Sequence, residues 1–157
     1  MATFLLTFIA SPGNAVLINF QPSVQNIILG SQPTVDVDVA ISGLGDFAAP
    51  SLSTYDLDIT FDQSVLDAPS VVFGDSALGN QLDLFEFGSI QDVVPGSGVV
   101  NIFEASFDLP TDLDTLQAGS FVLATLTFPI LNFGESPLDI IINALGDSTP
   151  FEDGGPL

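Results

Sequence analysis

The feature that most restricts how this chain can fold is a strict alternation of apolar and polar residues. Thr34 to Ser42 reads TVDVDVAIS, with Val35, Val37, Val39 and Ile41 on one side and Asp36, Asp38, Ala40 and Ser42 on the other. Tyr55 to Asp62 (YDLDITFD) repeats the pattern: Tyr55, Leu57, Ile59 and Phe61 point inward, Asp56, Asp58, Thr60 and Asp62 outward. Successive side chains of a strand point to opposite faces, so each segment reads as a half-buried antiparallel strand. Val99–Phe107 and Ser120–Phe128 follow a similar pattern, and Pro137–Asn143 is a further strand. Shorter candidates are Val16–Phe20, Ile27–Leu29, Val71–Phe73 and Leu82–Phe87. Turn residues punctuate them at Gly43–Asp46, Asp67–Pro69, Gly74–Asp75, Pro95–Gly98, Ala118–Gly119 and Asn132–Gly134. Thr111–Asp114 reads as one helical turn, with Thr111 as its cap and acids in the first turn. Many short strands at this spacing, in 157 residues, predict one all-β domain, a sandwich or barrel.

Charge then removes whole classes of function. The chain has 20 acidic residues, 16 Asp and 4 Glu, and no Lys, Arg or His, for a net charge of −20. Nucleic acid needs cations to displace counterions from phosphates, and anionic membranes repel such a chain. Without His or Cys there is no Ser-His-Asp or Cys-His site, and zinc has none of its usual ligands. No side chain can form a salt bridge, so stability rests on apolar burial and hydrogen bonds. The absence of Cys leaves the redox compartment unreadable.

At the N-terminus, Thr3–Ala10 (TFLLTFIA) is an apolar run too short to span a bilayer, which takes about 20 residues. Ser11-Pro12-Gly13 breaks it, and Gly13 and Ala15 place small residues for cleavage after Ala15. The expectation is a truncated signal peptide over residues 1–15, without its cationic start, followed by a single domain over 16–157. The other reading is an apolar first strand. After Asn143 the chain reads ALGDSTPFEDGGPL, which is turn-rich and lacks a final strand. An edge left open there implies a truncated sequence or completion by a donated strand.

Three sets of residues invite a site. Asp36, Asp38, Asp56 and Asp58 lie on outward faces of two strands read as neighbours, and oxygen-rich clusters attract Ca²⁺. Loops such as Gly43–Phe47 or Gly74–Gly79 wrap an ion better, no DxDxDG loop occurs, and the plain reading is a solvated acidic face. Glu86 and Glu104 are the only carboxylates resembling a glycosidase pair, but alternation explains both as outward positions on strands. Sugar stacking needs exposed rings; there is no Trp, Tyr55 is in phase with the core, and the 14 Phe, Phe85 and Phe87 included, read mostly as core. No catalytic, cofactor or metal residue is assigned, and Ca²⁺ stays open as a ligand.

Several segments together resemble the cohesin family, in the diverged form carried by secreted bacterial proteins. They are TVDVDVAISGLG (34–45), APSLSTYDLDITFDQSVL (49–66), VVFGDSALGNQLDL (71–84), LQAGSFVLATLTF (116–128) and GESPLDIIINALGD (134–147). The resemblance implies a nine-stranded antiparallel jelly-roll sandwich whose last strand, after Asp147, is missing here. It also implies a non-catalytic, secreted or cell-surface module that binds a dockerin-type protein partner. A polysaccharide-binding module of the same fold is the second reading and would need exposed Phe residues in register on one face. A structural unit of a surface layer or fibre is the third. No contact residues carry over.

Overall fold

The computed structural model describes residues 15–27, 30 and 33–147. They form eight strands and one short helix: β1 (Leu17–Gln21), β2 (Thr34–Ser42), β3 (Leu52–Thr60), β4 (Ser70–Phe73), β5 (Ser89–Gly96), β6 (Val99–Ser106), α1 (Pro110–Leu116), β7 (Ser120–Pro129) and β8 (Asp139–Asp147). The strands make two four-stranded antiparallel sheets, ordered β1-β2-β7-β4 and β5-β6-β3-β8. The chain passes between them after β2, β3, β4, β6 and β7, which gives a sandwich, one of the two architectures expected from the alternation, with the crossings of the jelly roll that the resemblance implies. No helix among the described residues is long and apolar enough to cross a membrane.

The core is the set of inward residues from both sheets. Val35, Val37, Val39 and Ile41 of β2 and Tyr55, Leu57 and Ile59 of β3 are buried, as their phase requires, with Val100 and Ile102 of β6. Strand β7 shows how phase is adjusted. Phe121 and Leu123 point inward, and strict alternation would then bury Thr125 and Thr127. A register shift opposite Val39/Ala40 moves the phase by one residue, so Ala124, Leu126 and Phe128 are buried instead. Phe128 meets Phe61 edge to face, with ring centroids 5.3 Å apart.

Five expectations need correction. Strand β5 went unread, because SIQDVVPG is an exposed edge strand with little alternation, and an edge is where Pro95 is tolerated. Leu82–Phe87 is a loop of turns. Ile27 is not in a strand, and Ile28 and Leu29 lie outside the described residues. The helix is capped at Leu109 with no side-chain bond, Pro110 entering its first turn, so Thr111 is not the cap. Strand β8 also runs beyond Asn143 to Asp147, with a bulge opposite Asp56/Leu57. The expected signal peptide, residues 1–14 of it, and the tail after Asp147 lie outside the described residues.

Candidate protein-binding face

The sandwich offers two broad outer faces, and their residues differ. On the β1-β2-β7-β4 sheet the centre carries Asp36, Asp38, Ser42, Ser120, Thr125 and Thr127, by register and alternation. Each aspartate takes a hydroxyl from the strand opposite: Thr127 Oγ1 donates to Asp36 at 2.7 Å and Thr125 Oγ1 to Asp38 at 2.6 Å. The exposed apolar groups, Leu17 and Val72, sit on the two edge strands.

The β5-β6-β3-β8 face is built otherwise. Register places Ile90, Asp92 and Val94 of β5 beside Ala105, Phe103 and Asn101 of β6. Asn101 lies opposite Asp58 of β3, which lies opposite Ile141 of β8. Ile90, Val94 and Ile141 are about half exposed, at 49%, 52% and 48%. Between them the Asn101 amide donates to Asp56 Oδ1 at 2.6 Å and Asp58 Oδ1 at 2.8 Å. Asn143, at the β8 bulge, donates to Asp56 Oδ1 at 3.1 Å. The result is a sheet surface with a polar centre and half-exposed apolar flanks, which offers both apolar area and fixed hydrogen-bonding groups to a partner.

This face rests on a buried acid. Glu104 is fully buried, paired in register with Tyr55, and points into the sandwich. Four neutral donors satisfy its carboxylate: Asn80 Nδ2 and Ser89 Oγ at 2.6 Å, Gln91 Nε2 at 2.9 Å, and the Tyr55 hydroxyl at 3.1 Å. A carboxylate without a cation is stable inside a protein only when hydrogen bonds replace its water. Burial first, then the Glu104 charge, pushes the Tyr55 hydroxyl well above its ordinary pKa.

The candidate sites from the sequence fare unevenly. Glu104 is not outward, and Glu86 is not in a strand; it sits exposed in a turn at φ 57°. One carboxylate faces the core and the other solvent, so they do not flank a common substrate. The four aspartates do not share a face either: Asp36 and Asp38 belong to one sheet, Asp56 and Asp58 to the other. Asp75, in the Gly74–Gly79 loop, spends its oxygens on the amides of Ala77, Leu78 and Val122. Asp46 accepts from the Gly119 amide. Among the described residues no group of three or more His, Cys, Asp or Glu is placed to hold a metal. Phe85 and Phe87 are exposed rather than core. Exposed Phe47, Phe85, Phe87 and Phe133 lie in loops and not in register along a strand, so the aromatic strip required for sugar stacking is not formed by them.

No protein-family model and no curated protein matches the sequence. Solved structures do. A type I cohesin–dockerin complex from Clostridium thermocellum, Coh-OlpA-Doc918, matches with a TM-score of 0.60 and 14% identity over 86% of this chain and 88% of that one. The sixth cohesin of Acetivibrio cellulolyticus scaffoldin B, solved with a mutant Cel5 dockerin, gives 0.56 and 20% over 85% and 87%. The chain has the cohesin fold. The cohesin CaCohA2 of Clostridium acetobutylicum matches with 0.53 and 22% over 78% and 73%.

Proposed function

We propose that this cohesin-like domain is a non-catalytic module that docks a dockerin-type protein partner through the outer face of β5-β6-β3-β8, within an extracellular or cell-surface assembly. The carrying observation is that face: half-exposed Ile90, Val94 and Ile141 around the Asn101–Asp56–Asp58 centre. Two of the similar structures are complexes of a cohesin with a dockerin. The residues argue in the same direction. Large apolar groups at the flanks supply burial, and fixed aspartates supply register and choice of partner. Catalysis draws no support, since of the two carboxylates that resembled a pair one is buried in β6 and the other exposed in a turn.

The test is capture. The immobilised chain is exposed to the secreted proteins of its source organism, with and without Ca²⁺, and retained proteins are identified by mass spectrometry. One stoichiometric partner is expected, lost with a V94K/I141K variant and kept with V72K on the opposite sheet. Retention of nothing proteinaceous, or equal loss with both variants, would sink the reading.

A further inference from the structure

The β5–β6 side of this face continues beyond the strand ends into a ridge of exposed apolar residues. Phe85 and Phe87 stack on each other, centroids 5.8 Å apart, and are 45% and 82% exposed. Phe107 and Leu109, both 64% exposed, follow directly after β6. One hydrogen bond ties the two segments together, from the Leu84 amide to Asp108 Oδ2 at 2.7 Å, and a second, from the Gly88 amide to Asp83 Oδ1 at 2.9 Å, closes the 83–88 loop on itself.

Two features make the ridge a built surface rather than a stray loop. It is held from below, because Asn80 and Ser89, on either side of it, both donate to buried Glu104, and Leu82 is buried in the core. It is also held in an unfavourable backbone shape. Glu86 sits at φ 57° between the two rings, a left-handed conformation that costs a non-glycine residue energy and persists only where the surroundings impose it. Rigid exposed aromatics are what an interface uses as anchors, since little side-chain freedom is lost on binding.

The rim decides the partner's chemistry. Asp83 and Asp112 lie close enough to Asp108 for their charges to act on it, Glu86 separates the two phenylalanines in sequence, and the chain has no Lys, Arg or His to answer them. Burial, joined by the charges of Asp83 and Asp112 and opposed by the Leu84 amide, holds Asp108 above the usual carboxylate range. An acidic or neutral apolar partner leaves that repulsion in place. A basic one relieves it and sets cations against ring faces.

We propose that the Phe85–Phe87 ridge, with Phe107 and Leu109, is a docking anchor for a partner segment that carries Arg or Lys beside an apolar side chain. This deepens the reading of the chain as a protein-docking module and rests on it, but it concerns residues off the sheet face, so the two can fail separately.

The probe is a short peptide alternating arginine and leucine, compared with the same peptide carrying citrulline for arginine, titrated into the ¹⁵N-labelled full chain at physiological salt. The arginine peptide is expected to move the amide signals of residues 83–88 and 107–112. The F85A/F87A variant, whose side chains are exposed and whose fold is checked by its spectrum, is expected to bind it about tenfold more weakly. V94K/I141K is expected to keep shifts at 83–88 and 107–112. Shifts spread over all acidic surfaces, equal binding of the citrulline peptide, or no effect of F85A/F87A would each overturn the proposal. So would a soluble cello-oligosaccharide that moves the same signals, which would make the ridge a sugar platform. If the ridge binds the peptide while the captured partner ignores V94K/I141K, the sheet-face reading fails and the ridge stands.

Discussion

The two outer faces solve the same problem with different chemistry. Both present two aspartates spaced along a central strand, and like charges in a sheet repel. On β1-β2-β7-β4 each aspartate receives its own threonine hydroxyl from the neighbouring strand. On β5-β6-β3-β8 a single amide, Asn101, serves both Asp56 and Asp58. One arrangement consumes a row of the surface and leaves it hydroxylic. The other concentrates the polar work at one point and frees the flanks for Ile90, Val94 and Ile141. A chain without cations must neutralise its acids by hydrogen bonds, and where it does so economically there is room for an interface.

The difference extends beneath the surface. Glu104 is the only buried carboxylate among the described residues, and it stands behind the mixed face. Replacing it with alanine takes the acceptor from the half-buried donors Asn80 and Ser89, which cost about 1–3 kcal/mol each when unmet, while exposed Gln91 can turn to water. E104A is therefore expected to lose about 3 kcal/mol or more in urea unfolding. D38A on the opposite sheet is expected to lose under about 1 kcal/mol, because its threonine can turn to water. Equal losses would remove the distinction between the sheets.

A smaller effect concerns the shared amide. N101A leaves Asp56 and Asp58 without their common donor and should cost about 1 kcal/mol in stability. T125A should cost about half that, since it unpairs one half-buried acid rather than two. The reverse order would mean that the two aspartate pairs are held alike.

The weakest predicted effects are in pH. Burial alone would raise Asp75, but the amides of Val122, Ala77 and Leu78 hold it below the usual value. Its stabilisation is present above the unfolded pKa of 3.8 and is lost as pH falls through the lower folded value. D75N should thus be less stable than the parent at pH 7, with the gap closing in acid. Asp108 has the opposite sign. Its raised folded value means the native state takes up the proton first, so its strain is present at pH 7 and is relieved as pH falls toward 3.8. D108N should be no less stable than the parent at pH 7 despite losing a charge, and any gain should vanish in acid. Thermal melts across that range check both signs.

Sequence periodicity was a good guide where one face of a strand is buried, and a poor one elsewhere. Strands β2 and β3 are legible because Val35–Ile41 and Tyr55–Ile59 alternate against aspartates. Strand β5 is not, because an edge strand exposed on much of its surface has no reason to alternate. Leu82–Phe87 does alternate, yet Asp83 and Asp108 capture the Gly88 and Leu84 amides and draw the segment into turns. Glu104 reads by alternation as outward, yet it is in phase with the buried Val100 and Ile102, so that reading takes the wrong phase of this strand. The four donors that permit its burial come from segments 13 to 49 residues away, invisible to local pattern. The mixed face was likewise out of reach, since it depends on β5 and β8 flanking β6 and β3.

The protein partner is expected on the β5-β6-β3-β8 face. Hydrogen–deuterium exchange of the chain with and without its captured partner tests it directly. Slowed exchange is expected along residues 89–103 and 139–143, with β1, β2 and β7 unchanged. Protection confined to the β1-β2-β7-β4 sheet would contradict the account.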